Sequence, residues 1–198
     1  MTDAHVVPGS FEGLRDEPAP VEVVATDLVY GGMVWDVRRE RFRYGDAEIA
    51  REFVAHPGAS AIVAVDDQER VLLIQQYRHP IRLRDWEIPA GLLDIAGESP
   101  LETARRELAE EADLLASDWE PLVSIFTTPG GNDEVVHLFL ARGLTAAGEA
   151  HAREAEEADI RIEWVPLADA ITGVLDGRLR NGILSVGVLA AAEKLRRS

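Results

Sequence analysis

The segment PAGLLDIAGESPLETARRELAEEADL, residues 89–114, carries the side chains of this sequence that are best suited to chemistry. It contains seven carboxylates, and three of them, Glu107, Glu110 and Glu111, are spaced so that they share one face of a helix. Like charges at this spacing repel one another by a few tenths of a kcal/mol per pair. The pattern therefore indicates either an ordinary solvated face or a site for a divalent cation, since Mg²⁺ and Mn²⁺ prefer hard oxygen ligands.

The same segment predicts a helix that positions these carboxylates. Ser99 is a favourable N-cap, Pro100 occupies the first helical position, and Glu102 completes a capping box. At about 100° per residue, an apolar stripe is expected to face the core beside the carboxylates. This stripe consists of Leu101, Ala104, Leu108, Ala112 and Leu115.

Charge and composition limit the ligands. The chain has 198 residues, of which 46% are apolar, and its 36 acidic and 20 basic residues give a net charge of −16. Such a charge disfavours general attraction to nucleic acid or to an anionic membrane, so neither is expected as a partner. An anionic small molecule needs a cation or a local basic group. YRHPIRLR, residues 77–84, supplies a basic group through Arg78, His79, Arg82 and Arg84.

The sequence also limits the compartment and the kind of chemistry. No run approaches the roughly 18 apolar residues of a membrane span, and the N-terminal segment lacks the features of a secretory signal. The absence of cysteine excludes disulfides, thiolate catalysis and thiolate zinc sites. We expect a soluble, cytoplasmic protein that uses oxygen and nitrogen groups.

The order of strand and helix patterns predicts an α/β or α+β fold with helices on the faces of a sheet. Two strongly apolar strands, Ala61–Val65 and Val71–Gln75, mark the start of a main domain expected in residues 58–198. Residues 21–44 are expected to form a β-hairpin that turns at its glycine pair. A β-rich module in residues 1–57 is either separate from the main sheet or an extension of it.

The segment GLLDIAGESPLETARRELAEEADL, residues 91–114, resembles the Nudix box. That pattern is Gly, five residues, Glu, seven residues, Arg-Glu, an aliphatic residue, any residue, Glu-Glu, any residue, Gly and an aliphatic residue. The matching residues are Gly91, Glu98, Arg106, Glu107, Leu108, Glu110, Glu111 and Leu114. Six residues rather than five separate Gly91 from Glu98, which alters only the loop before the helix. Asp113 replaces the final glycine and is expected to adopt its left-handed conformation.

The resemblance implies an α/β/α sandwich with a mixed sheet, and hydrolysis of a nucleoside diphosphate linked to another moiety. HPGASAIVAVDD, VLLIQQYRHP, WEIPAGLLD and TTPGG resemble more narrowly the ADP-ribose pyrophosphatase branch. Pro129 lies about where that branch carries a proline. The branch also implies a homodimer, with the N-terminal β module packed across its interface.

The metal site is implied by the same resemblance. Glu107 and Glu111, together with the backbone carbonyl of Ala90, are expected to hold Mg²⁺ or Mn²⁺. Glu110 adds a ligand or an outer contact. A divalent cation at this place lowers the charge on a diphosphate and activates a water molecule.

A base that orients the attacking water is expected in the acidic loop AREAEEAD. The resemblance places it at Glu157, with Glu154 and Glu156 as alternatives. His79 and His137 show no spacing typical of metal ligands, and we interpret them as structural.

Three residues are expected to contact the substrate. Arg78 is the first choice for a phosphate contact, because guanidinium matches the geometry of phosphate oxygens. Arg51 matches a substrate-contacting position of the branch. Glu87 either positions the substrate or holds an arginine. Trp35 or another N-terminal aromatic residue stacks on adenine, or Trp35 belongs to the core.

These expectations favour hydrolysis of the small molecule ADP-ribose to AMP and ribose 5-phosphate. Another nucleoside diphosphate sugar is the alternative within the enzyme class. A non-catalytic Nudix-fold sensor of ADP-ribose is the alternative outside it, and the intact Glu107, Glu110 and Glu111 disfavour that alternative.

Overall fold

The N-terminal part of the chain forms an antiparallel meander. In the computed structural model, which describes residues 13–148 and 160–197, its strands are β1 Val23–Gly31, β2 Asp36–Tyr44 and β3 Ala47–Ala55. The predicted hairpin is confirmed, and the Gly32 N–H donates to the Trp35 carbonyl over 3.1 Å in its turn. The sequence did not predict β3, because polar and apolar residues do not alternate regularly along AEIAREFVA.

Two further sheets form the main domain. Their strands are β4 Ala59–Ala64, β5 Arg70–Arg78, β6 Leu83–Glu87, β7 Ala90–Leu92, β8 Leu114–Phe126, β9 Val135–Ala146 and β10 Arg161–Pro166. One sheet has the order β7-β4-β9-β8 and is mixed, because β4 and β9 run parallel while the other pairs are antiparallel. The other is the antiparallel sheet β10-β5-β6. The predicted mixed α/β fold is confirmed.

Helices cover both faces of the central strand β4. They are α1 Pro100–Ala112, α2 Leu167–Leu175 and α3 Gly182–Arg197. Ala61 and Val63 belong to a core that includes residues of α2 and α3, whereas Ile62 and Ala64 belong to a core that includes residues of α1. This division follows from the two-residue period of a strand, and it produces an α/β/α sandwich. Among the described residues, no helix combines the length and apolar character needed to cross a membrane.

Both ends of α1 agree with the sequence prediction. Ser99 Oγ accepts from the Glu102 N–H over 3.3 Å, and Glu102 Oε2 accepts from the Ser99 N–H over 2.8 Å. Asp113 adopts the left-handed conformation expected of it, with φ 54° and ψ 37°. The helix therefore has a fixed start and a sharp end.

The predicted apolar stripe is confirmed within α1 but not beyond it. Ala104, Leu108 and Ala112 are buried, and Leu101 is half-buried. The assignment of Leu115 to the stripe is wrong. The helix ends before this residue, which lies on β8 with 49% of its surface exposed.

We expect Leu108→Ala to lower the free energy of unfolding by about 2–5 kcal/mol, because it leaves a cavity beneath the carboxylate-bearing helix. Leu115→Ala is the matched control and should cost less than about 1 kcal/mol. Urea titrations followed by circular dichroism measure both values. Equal losses at the two positions would contradict the burial pattern.

Candidate active site

Two glutamates of α1 are seated against strand β7. The Ala90 N–H donates to Glu111 Oε2 over 3.0 Å, and Glu111 is only 8% exposed. One turn earlier, the Glu107 carboxyl lies so close to Gly91 that a Cβ at this position would overlap it. Gly91 does not have a positive φ, so close approach is the reason for glycine here. Glu107 and Glu111 thus meet two consecutive residues of β7.

Arg106 connects the carboxylates of the site. Its Nη1 donates to Glu107 Oε1 over 2.5 Å and to Glu110 Oε2 over 3.0 Å, and its Nη2 donates to Glu98 Oε2 over 3.1 Å. The hydrogen bond with Glu98, followed by the charge of Glu107 and the hydrogen bonds with Glu107 and Glu110, raises the pKa of Arg106. The same hydrogen bond lowers the pKa of Glu98. Arg106 is therefore a fixed cation among acidic groups.

Arg78 reaches the same region from the end of β5. Its Nε and Nη2 donate to Glu87 Oε1 and Oε2 over 2.6 and 2.7 Å, and Glu87 is buried. The Glu87 hydrogen bonds raise the pKa of Arg78, and the charges of Glu111 and Asp85 contribute to this shift. Of the two roles expected for Glu87, this structure shows the one in which it holds an arginine. The Arg78 side chain remains 46% exposed, so it lies at the surface rather than in the core.

Sequence reasoning missed one residue of this site and left another without a role. Gln76 is buried, and its Nε2 lies 3.5 Å from Glu87 Oε2. Gln76 could have been found from its position two residues before Arg78 on β5, because alternate residues of a strand face the same side of the sheet. Glu98 matched the motif, and the structure shows that it supports Arg106.

The donor atoms of the site are of the kind that binds a hard divalent cation. In this structure, the described side chains do not point toward one common position. Within residues 13–148 and 160–197, no group of three or more acidic or histidine side chains is arranged around a metal position. The contacts explain this: Arg106 draws the Glu107 and Glu110 carboxylates, and the Ala90 amide holds Glu111. The clustered carboxylates beside the backbone of β7 nevertheless have the oxygen chemistry that Mg²⁺ and Mn²⁺ prefer.

One predicted site residue, Arg51, lies away from the α1 carboxylates. Arg51 is on β3 and lines a cleft of about 420 Å³, and the α1 carboxylates are not among the residues that line this cleft. The cleft residues are Glu40, Phe42, Arg51, Glu52, Phe53, Pro129, Gly130, Gly131, Asn132 and Asp133. Glu157 and its alternatives Glu154 and Glu156 lie outside the described residues.

The remaining predicted side chains make local contacts. Trp35 is 47% exposed and its ring centroid lies 5.6 Å from that of His56, so the interpretation of Trp35 as a core residue is wrong. Trp35 lies in the turn between β1 and β2, outside both strands. His79 contacts Tyr77, and His137 contacts Ser124.

The class of the protein follows from a family match that includes the mixed sheet and the acidic helix seated on the short strand β7. A family model described as the NUDIX domain matches residues 54–183, and the chain belongs to the Nudix family. The match begins at the end of β3 and includes α1, β7 and Arg78.

Two individual proteins and one solved structure are similar to this chain. The chain is 45% identical over 170 residues to an ADP-ribose pyrophosphatase of Mycobacterium tuberculosis, covering 85% of this chain and 82% of that protein. It is 32% identical over 178 residues to a methanol dehydrogenase activator of Bacillus methanolicus, covering 88% and 95%. A solved structure of an ADP compounds hydrolase superposes with a TM-score of 0.76 at 18% identity, covering 92% of this chain and 98% of that one, which supports the fold.

We expect Gly91→Ala to weaken Mn²⁺ binding by about 10–100-fold, the range typical when support of a metal ligand is lost. The added methyl group would displace the Glu107 carboxyl. Electron paramagnetic resonance of a Mn²⁺ titration measures the dissociation constant. Gly182→Ala is the control, since a Cβ there meets no atom within 4 Å. Equal affinities of both variants would rule out a cation beside Gly91.

Proposed function

We propose that this protein hydrolyses the diphosphate bond of ADP-ribose, giving AMP and ribose 5-phosphate, with Mg²⁺ as its cofactor and Mn²⁺ as a substitute. The observation that carries the proposal is the placement of Glu107 and Glu111 on Ala90 and Gly91, with Arg78 beside them. The relative that is 45% identical is named for this substrate. The cytoplasm, expected from the sequence, is the proposed compartment.

The residues of α1 and β7 hold the cation in this proposal. Glu107 and Glu111 supply carboxylate oxygens, the Ala90 backbone supplies a carbonyl, and Glu110 supports them from the exposed side of the helix. When bound, the cation supplies positive charge to the diphosphate and makes a water molecule more acidic. Arg106 must release Glu107 or share it, and its contacts with Glu98 keep the guanidinium in place.

Arg78 binds the diphosphate from the opposite side. The bidentate contact with Glu87 orients the guanidinium plane before a ligand arrives, so less side-chain entropy is lost on binding. Gln76 in turn supports Glu87 from within the core. The base that orients the attacking water is proposed to be Glu157, with Glu154 and Glu156 as the alternatives.

We further propose that residues 1–57 form a module that packs across a homodimer, while residues 58–198 carry the chemistry. The meander exposes more apolar surface than a solvated sheet requires, which is typical of an interaction surface. The exposed apolar residues are Val23, Val24, Leu28, Val29, Tyr30, Met33, Val34, Trp35 and Tyr44. Arg51, on the last strand of this module, is the proposed further contact to the substrate.

We expect AMP release from ADP-ribose to require Mg²⁺, to stop in EDTA, and to fall by about 100-fold or more in Glu111→Gln, the scale of losing one catalytic charge. Chromatography of the products measures the rate. Glu193→Gln is the control, because Glu193 pairs with Arg196 and Arg197 on α3 rather than with residues of the site.

The same assay with ADP-glucose and diadenosine substrates tests the alternative leaving groups. ADP-ribose is expected to give the highest kcat/KM of the three. If it ranked last, another nucleoside diphosphate sugar would be the better assignment. If the wild type bound ADP-ribose and released no AMP, a sensor would be the better one.

We expect sedimentation equilibrium to give about twice the chain mass of 21.7 kDa. Leu28→Glu combined with Tyr30→Glu should shift the mass toward that of a single chain, because both side chains are exposed apolar residues of β1. Leu175→Glu, at an exposed position of α2, should not. A wild type that sediments as one chain at every concentration would contradict the dimer.

A further inference from the structure

His56 lies where three parts of the molecule meet. It follows β3, precedes β4, and faces the connection between β8 and β9. Its side chain is only 7% exposed. No role was predicted for this histidine from the sequence, and none of the steps proposed above uses it.

The contacts of His56 fix its tautomer. The Gly58 N–H donates to Nδ1 over 3.0 Å, so this nitrogen is an acceptor and the neutral ring carries its proton on Nε2. Nε2 faces Glu134 Oε1 at 3.5 Å. The other carboxylate oxygen, Oε2, accepts from Thr127 Oγ1 over 2.5 Å. The carboxylate of Glu134, which is 15% exposed, therefore bridges His56 and Thr127.

These contacts hold the glycine loop, residues 128–133, against the end of β3. The Val54 N–H donates to the Gly131 carbonyl over 3.0 Å, and the His56 N–H donates to Asp133 Oδ1 over 2.8 Å. The loop contains Gly130 and Gly131, which have no side chains of their own to fix its shape. Backbone hydrogen bonds from Gly131 and Asn132 to the Thr128 carbonyl shape the loop from within, and the half-buried Glu134 anchors its end against His56 and Thr127.

The glycine loop forms one wall of the cleft that contains Arg51, and β2 and β3 form the other. His56 is also linked to strand β7, which contacts Glu107 and Glu111. Gly58, whose N–H binds the His56 ring, accepts a hydrogen bond at its carbonyl from the N–H of Leu93, directly after β7, over 3.0 Å. A change at His56 thus has a short structural route to the cleft, through the loop.

We propose that His56 and Glu134 are positioning residues that set the width of the Arg51 cleft and so determine the affinity for the nucleotide substrate. The inference rests on the proposed function, since the cleft is taken to bind part of that substrate. The pair acts through the glycine loop and touches no reacting atom. It should therefore change KM and leave kcat nearly unaltered.

Thr127 offers the sharpest test, because it allows an isosteric change that keeps the fold. Thr127→Val removes the hydroxyl that supports Glu134 and that also contacts Asn132 of the loop. We expect KM for ADP-ribose to rise about tenfold with kcat within about threefold of wild type. Thr127→Ser restores the hydroxyl and should restore KM. His56→Gln and Glu134→Gln should each raise KM similarly, and the double variant should raise it less than the product of the two effects.

His137→Gln is the matched control, because this histidine contacts Ser124 and not the glycine loop. Amide hydrogen exchange of residues 128–133 should accelerate in Thr127→Val and remain at the wild-type rate in His137→Gln. A wild-type KM in Thr127→Val, or a lowered kcat at unchanged KM, would overturn the inference. A loop that exchanges faster while KM stays constant would overturn it as well.

Binding of a non-hydrolysable ADP-ribose analogue, which carries a methylene bridge in the diphosphate, is measured by calorimetry in Mg²⁺ and separates this inference from the proposed function. If the wild type binds ADP-ribose but does not hydrolyse it, the proposed hydrolysis fails, and the dissociation constants of the variants still decide the role of the pair. A roughly tenfold weaker binding by Thr127→Val than by Thr127→Ser supports positioning. Equal binding by the two variants, or none by the wild type, overturns it.

Discussion

The contact between the carboxylates of α1 and the backbone of β7 is the interaction on which the rest of the site depends. Like charges on adjacent turns repel. In an isolated helix the carboxylate side chains would relieve this repulsion by pointing into the solvent. The fold prevents this, because buried Leu108 fixes the rotation of the helix. Gly91 then leaves room for Glu107, and the Ala90 amide holds Glu111. Core packing and a hydrogen bond thus stabilise an arrangement that electrostatics alone opposes.

Arginines compensate the acidic charge only in part. Within residues 13–148 and 160–197, the contacts described above bring together five carboxylates, Glu87, Glu98, Glu107, Glu110 and Glu111, and two guanidinium groups, Arg78 and Arg106. Five negative charges less two positive charges leave three negative charges, in a protein whose net charge is already −16. A diphosphate would add to this repulsion, so binding without a cation is unfavourable. The electrostatics of the fold therefore favour a reaction that depends on divalent cations.

Features that depend on neighbouring residues were predictable from the sequence. Each of these features is determined by residues only a few positions apart in the sequence. They are the capping box, the left-handed Asp113 and the spacing of the α1 carboxylates. Features that depend on strand register were not. The sequence left the role of Glu87 open, because only the pairing of β5 with β6 brings it to Arg78. The contact of His56 with Glu134 joins residues 78 positions apart, and no local pattern encodes it. Leu115 was misplaced because the helical period was extended past Asp113, whose left-handed conformation ends the helix.

The most direct test of the cation-holding helix is anomalous diffraction from crystals soaked with Mn²⁺ and a non-hydrolysable ADP-ribose analogue carrying a methylene bridge in the diphosphate. We expect an anomalous peak bounded by Glu107, Glu111 and the Ala90 backbone, with the diphosphate between this peak and Arg78. Mn²⁺ bound elsewhere, or a diphosphate bound at this place without any cation, would contradict the proposed role of α1.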